Sequence, residues 1–145
     1  MDADTLMGTE LRALRRRRPE VTGTVLAGTD GLLISSDLPT TDATHLAALA
    51  AASFGLGNRV ADTVRRGGFR ESVLRTEAGC VLTYPAGRNA LLTLVTDRAT
   101  DLDTLHDEAR AVAARTGSVV DTQHPTAPSF LPPDPHAPLP RRAAG

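Results

Sequence analysis

The chain has 145 residues and a nearly balanced charge, 16 basic groups against 17 acidic ones, net −1, a length that suits one domain. All of those basic residues are arginines, and the missing lysine excludes a Walker-type phosphate loop, a Schiff-base enzyme and a Ser-x-x-Lys acylase, each of which needs a lysine amine. A single cysteine, no tryptophan, one tyrosine and three phenylalanines exclude an internal disulfide and a cysteine-built zinc site, and leave few stacking platforms for a nucleic acid.

The first predicted element is a short helix. Asp2, Asp4 and Thr5 supply a cap and first-turn acidity. Leu6, Glu10, Leu11 and Leu14 form a narrow stripe at helical spacing, Arg15 to Arg18 sit at the negative pole, and Pro19 stops the helix. Asp2 and Asp4 also stand where a signal peptide has its basic region. No apolar run approaches the ~20 residues of a membrane helix, so a cytoplasmic chain without membrane insertion is expected.

Two strands follow, Val21–Ala27 and Leu32–Ser36, joined by Gly28-Thr-Asp-Gly31. Asp-Gly between two apolar runs signals a tight antiparallel hairpin. Pro39-Thr-Thr-Asp42 then opens a long helix from Ala43 to about Val64, with Leu46, Leu49, Phe54, Leu56, Val60 and Val64 as its large apolar groups. Ala47, Ala51 and Gly55 fall four apart, as do Ala48 and Ala52. An exposed stripe so small adds little core volume but lets another helix approach closely, so these five are the candidate dimer-contact residues.

Gly67-Gly68 is read as the stop of that helix. Three strands follow: Phe69–Thr76, anchored by Phe69, Val73 and Leu74; Cys80–Tyr84, ending at Pro85; and Ala90–Thr96, the most apolar and so the central one. Thr100-x-x-Asp103 resembles a capping box for a last helix whose buried stripe is Leu102, Leu105, Ala109, Val112 and Ala113, with Gly117 as its stop. Seven prolines fall between His124 and Gly145. The division is thus a folded unit over 1–117 and a proline-rich, disordered tail over 118–145, too poor in large apolar groups to offset its ordering entropy. The order α-β-β-α-β-β-β-α describes an α+β fold, a five-stranded antiparallel sheet flanked by helices.

That order, with three strings, resembles the roadblock/LC7 family, in particular its bacterial, actinomycete-type members encoded with Ras-like GTPases. The strings are Val25-Leu-Ala-Gly-Thr-Asp-Gly-Leu-Leu-Ile-Ser-Ser36, Asp42-Ala-Thr-His-Leu-Ala-Ala-Leu-Ala50 and Ala90-Leu-Leu-Thr-Leu-Val-Thr-Asp97. The likeness spans about Leu6 to Gly117 and omits the tail. It implies a profilin-like fold, a homodimer in which long helices pair and third strands join the two sheets, and binding to a small GTPase, as a GTPase-activating protein or a scaffold, beside other signalling proteins of the same operon. The arginine run at 15–18 and the tail are not part of the family pattern.

The stretch 59–75 is basic, net +3, and 97–108 is acidic, net −4. Arg59, Asp62, Arg65 and Arg66 are the candidate partner-binding residues, where complementary charge would steer a GTPase toward the surface. An arginine finger supplied in trans is one use of Arg59 or Arg66, although bacterial members of the family are expected to reposition the GTPase instead. Cys80 opens an apolar strand and is expected to be buried and inert. His45 and His106 lack metal-ligand spacing, and Ser35, His45 and Asp37 have no nucleophile elbow to gather them. No catalytic residue, metal or cofactor is therefore expected. The alternative is a PAS-like or profilin-like sensor, which would need a polar-lined cavity of several hundred Å³ beneath the sheet.

Overall fold

The computed structural model describes residues 2–97 and 101–123. α1 (Ala3–Arg17) opens on Asp2, whose carboxylate accepts the Thr5 N–H at 2.8 Å. Its inward stripe is Met7, Leu11 and Leu14, whereas Leu6, expected there, is 41% exposed. The spacing of four and three from Met7 fits one helical face, and Leu6 lies about 100° off it.

β1 (Val21–Gly28) and β2 (Leu33–Ser36) form the expected hairpin. Gly31 turns it at φ +88°, a conformation costly for any residue with a Cβ. Asp30 Oδ1 accepts the Leu32 N–H at 3.0 Å and braces the turn. α2 (Thr40–Thr63) then crosses one face of the sheet, and β3 (Ser72–Arg75), β4 (Gly79–Ala86) and β5 (Ala90–Asp97) complete it in the order β2-β1-β5-β4-β3. Every pairing is antiparallel, and β5 is central as expected, matched with β1 as far as Gly28↔Ala90 and with β4 as far as Ala86↔Ala90. α3 (Leu102–Gln123) packs beside α1 on the opposite face from α2.

The two faces are unequal. Under α1 and α3 lie Leu26, Leu82, Tyr84, Leu92 and Leu94, closed by Met7, Leu11, Leu14, Leu105 and Val112. These side chains fill the layer that a sensor cavity would occupy, which weighs against the sensor alternative. Under α2 the core is thin: Val25, Ala27, Ala43 and Ala47, flanked by Leu33, Leu38 and Leu46. Thr83 and Thr93 are buried in the same sheet, their hydroxyls hydrogen-bonded to each other at 3.1 Å. Small inward residues let α2 lie close to the strands.

Several boundaries differ from expectation. β3 begins at Ser72, so Phe69 belongs to the connector. Pro85 lies inside β4 rather than ending it; β3 stops its pairing at Ser72↔Thr83, so that flank of β4 has no ladder for the proline to break. Asp101 stands at the start of α3, its Oδ1 accepting the Asp103 N–H at 3.2 Å. Thr100 and Arg98 lie outside the described residues, as does the proline-rich stretch 124–145 with its Pro-x-x-Pro motifs.

Gly117 does not stop α3, and residues 118–123 are helix rather than tail. The glycine serves a close approach: a Cβ there would stand 2.2 Å from both Ala86 C and Gly87 N in the β4–β5 turn. The extra turns bury Val120, and Asp121 accepts the Arg88 N–H and the Asn89 side-chain amide, each at 3.0 Å. Non-local packing outweighs the local stop signal.

Candidate functional site

The site is built on α2 and the strand beside it. α2 is apolar on two sides. Its inner side holds Ala43, Ala47 and Ala50, buried against the sheet. Its outer side presents Leu49 and Leu56, each 65% exposed, with Val60 at 54% and Val64 at 53%. The steps of seven and four from Leu49 to Val60 keep these side chains on one stripe. Ala48, Ala52 and Gly55 are exposed among them, and a Cβ at Gly55 would meet nothing within 4 Å.

The expected small-residue set is therefore split. Ala48, Ala52 and Gly55 are on the outside. Ala47 is wholly buried in the chain's own core, and Ala51 is half-buried beside the Gly31 turn. The spacing of four holds, but α2 presents opposite sides of that row to sheet and solvent. The sequence marks the large outward residues as apolar without saying which side they face. Their alternation with inward alanines was the signal that they face away.

Continuity comes from β3. It is an edge strand, and it exposes Val73 and Leu74, an open row of backbone groups and apolar side chains of the kind that recruits a further strand. Two contacts fasten β3 and the connector before it to α2. Phe69 meets Phe54 edge to face with ring centroids 5.6 Å apart, seated over Gly57, where a Cβ would fall 2.4 Å from its ring. Ser53 and Ser72 share a hydroxyl hydrogen bond at 3.3 Å. Ser72 and Leu74 lie on the α2 side of the sheet, whereas Val73, opposite Leu82, lies on the α1–α3 side, so the helix stripe adjoins Leu74 and the open strand edge. Burying a Leu or Val fully is worth about 1.5–3 kcal/mol, so covering this stripe favours association by roughly several kcal/mol.

Arg59, Asp62, Arg65 and Arg66 cluster at the C-terminal end of the same helix. All four are exposed and make no ion pair among the described residues. The helix ends there, ahead of the expected Gly67-Gly68. The Arg65 N–H bonds Asp62 O at 3.2 Å and the Arg66 N–H bonds Ala61 O at 3.1 Å, with Arg65 at φ +55°. This is the C-terminal lock usually built on glycine. An arginine there is strained by about 1 kcal/mol. Arg65→Gly is expected to raise the unfolding free energy by about 0.5 kcal/mol, part of the relief being lost to the looser unfolded chain. A denaturant midpoint that falls instead would count against this description of the turn.

Several other charged and titratable residues are occupied within the fold. Arg17 and Arg18 converge on Glu108, and their hydrogen bonds hold its carboxyl below the usual range. The acidic stretch is thus partly spent on α1. Tyr84 is hydrogen-bonded to His106 Nδ1 at 2.6 Å, and burial raises its hydroxyl pKa well above the ordinary value. Cys80 is a buried free thiol, as expected. Asp37 is held by Arg15 and Thr24. Among the described residues there is no cluster of three or more metal-ligating side chains, and no helix is long and apolar enough to cross a membrane.

With this geometry in view, known proteins agree on the architecture. The family described as Roadblock/LC7 domain matches residues 7–96. An uncharacterized protein of Methanocaldococcus jannaschii is 34% identical over 79 residues, 54% of this chain and 67% of that protein. A Roadblock/LC7 domain from Streptomyces avermitilis superposes with a TM-score of 0.74 at 25% identity, over 78% of this chain and 96% of that one. MglB, solved in a tetrameric arrangement, superposes at 0.75 with 18% identity over 83% and 91% of the two chains, which shows the shared fold.

Proposed function

Since this chain belongs to the Roadblock/LC7 domain family, we propose that it is a non-enzymatic regulator or scaffold that pairs with a second copy of itself and binds a small Ras-like GTPase. The observation that carries this reading is the exposed apolar stripe of α2, Leu49, Leu56 and Val60, beside the open edge of β3. A two-fold axis beside α2 sets Leu49, Ala52 and Leu56 against the same residues of the partner, and Ala48, Ala52 and Gly55 let the two backbones approach. β3 meets its counterpart edge to edge, and both sheets gain a neighbour. The tetrameric arrangement of MglB is in keeping with a fold that self-associates.

The GTPase is assigned to Arg59, Asp62, Arg65 and Arg66, which stand beside that stripe with their charges unpaired. Pairing would bring two such clusters onto one assembly. The cluster steers the encounter and orients the bound GTPase; activation then follows from repositioning groups that the GTPase itself supplies. The deciding experiment is affinity capture with the full chain from its native host, in GTPγS and in GDP. A small GTPase recovered in one nucleotide state supports the proposal, and none in either state overturns it. Phosphate release by that GTPase, with and without this protein, then separates an activator from a scaffold.

A further inference from the structure

The arginines of α1 divide into two groups. Arg17 and Arg18 are committed to Glu108, and Arg18 also reaches Glu20 at 3.4 Å. The others line a separate groove of about 450 Å³, bounded by Arg12, Arg15, Arg16, Pro19, Val21 and Asp37. Its single acid is already engaged. Asp37 accepts from Arg15 Nη1 at 2.7 Å, the Thr24 N–H at 2.7 Å and Thr24 Oγ1 at 2.9 Å. Arg12 and Arg16 are exposed, and between them they make one contact, Arg12 to the Thr9 hydroxyl at 3.5 Å.

The helix pole accounts for Arg15, Arg16 and Arg17, which stand in the last turn. It does not account for Arg12, one turn earlier, whose charge opposes that of Arg16 at i,i+4. Two unpaired guanidinium groups therefore face one groove at a cost to the isolated helix. We propose that this groove docks an extended, acidic segment of a partner protein, with two carboxylates on Arg12 and Arg16. The spacing fits that occupant. One helical turn separates the two arginines by about 6 Å along the axis, and side chains on one side of an extended chain repeat at roughly 6.6 Å. Each guanidinium fork can grip one carboxylate through paired N–H donors, and Pro19 and Val21 give the groove an apolar floor for the acidic side-chain stems. The groove is on the α1 side of the sheet, across from α2, so it stays open when α2 and β3 are covered.

Fluorescence anisotropy with the full chain and a labelled Gly-Glu-Val-Glu-Gly peptide tests this. The expected result is saturable binding that weakens about tenfold or more in an Arg12→Gln/Arg16→Gln double variant and falls as salt rises. The Gly-Gln-Val-Gln-Gly peptide should not bind. Absence of binding at millimolar protein, equal binding by the double variant, or equal binding of the glutamine peptide would each overturn the proposal. So would displacement of the peptide by inorganic phosphate or by phosphatidylserine vesicles at lower concentration than by unlabelled peptide; these outcomes assign the groove to a phosphate ligand or to a membrane surface.

Discussion

Ala52→Glu should abolish the proposed pairing of two copies while leaving the protomer folded. Ala52 is exposed on the outer stripe of α2, so the protomer has room for a longer side chain. Across a two-fold axis the same change appears twice, and each carboxylate is desolvated between helices with no cation to meet it. Stranding a buried charge costs about 3–5 kcal/mol, so the dimer should weaken at least a hundredfold, about 1.4 kcal/mol being one decade. Light scattering on a size-exclusion column, run over a range of loading concentrations, reads the result. Circular dichroism should show unchanged helix content. A variant that keeps the dimer mass at micromolar concentration would remove α2 from the interface. Ala47 is not the residue to change, because its side chain lies in the protomer's own core, where a carboxylate would unfold the chain and report nothing about association.

The second large effect belongs to Gly117→Ala. The new methyl would stand 2.2 Å from Ala86 C and from Gly87 N. Both are backbone atoms of a hairpin whose turn is pinned by Asp121 to Arg88 and Asn89, so no side chain can swing aside. Overpacking costs typically 1–3 kcal/mol, and backbone neighbours place this change at about 3 kcal/mol. The helix gains up to ~1 kcal/mol from replacing a glycine, which leaves a net loss of roughly 2 kcal/mol. The urea midpoint should fall with the slope unchanged. An unchanged midpoint would mean that α3 and the β4–β5 turn are not in contact in solution.

These two glycine and alanine positions show where sequence reasoning reached and where it stopped. The Asp30-Gly31 turn, the Asp2 cap and the central place of β5 were legible because each depends on residues within a few positions of one another, or on a simple apolar run. The four-residue spacing of Ala47, Ala51 and Gly55 was also correctly seen. Its direction was not, because period alone does not tell which side of a helix meets the sheet. Leu49, Leu56 and Val60 were legible only as apolar: hydrophobicity marks a surface that wants covering and leaves open whether its own chain or another covers it. Gly117 carried a strong local stop signal, yet α3 continued, since Val120 and Asp121 had partners some thirty residues earlier. The arginine run could be placed at a helix end, but its division between Glu108 and the groove at Asp37 depended on how α1 lies against α3 and the segment after β2.

By itself the sequence determined the order of eight elements, the antiparallel sheet and the family likeness, because hairpins, caps and periodicity are short-range properties of the chain. The tertiary structure alone decided which alanines serve the sheet and which remain outside, that the outer stripe of α2 stands beside the open edge of β3, and that Arg12 and Arg16 remain unpaired while their neighbours are neutralised. Each of these depends on contacts between segments distant in sequence, and no local pattern encodes the angle at which two elements pack.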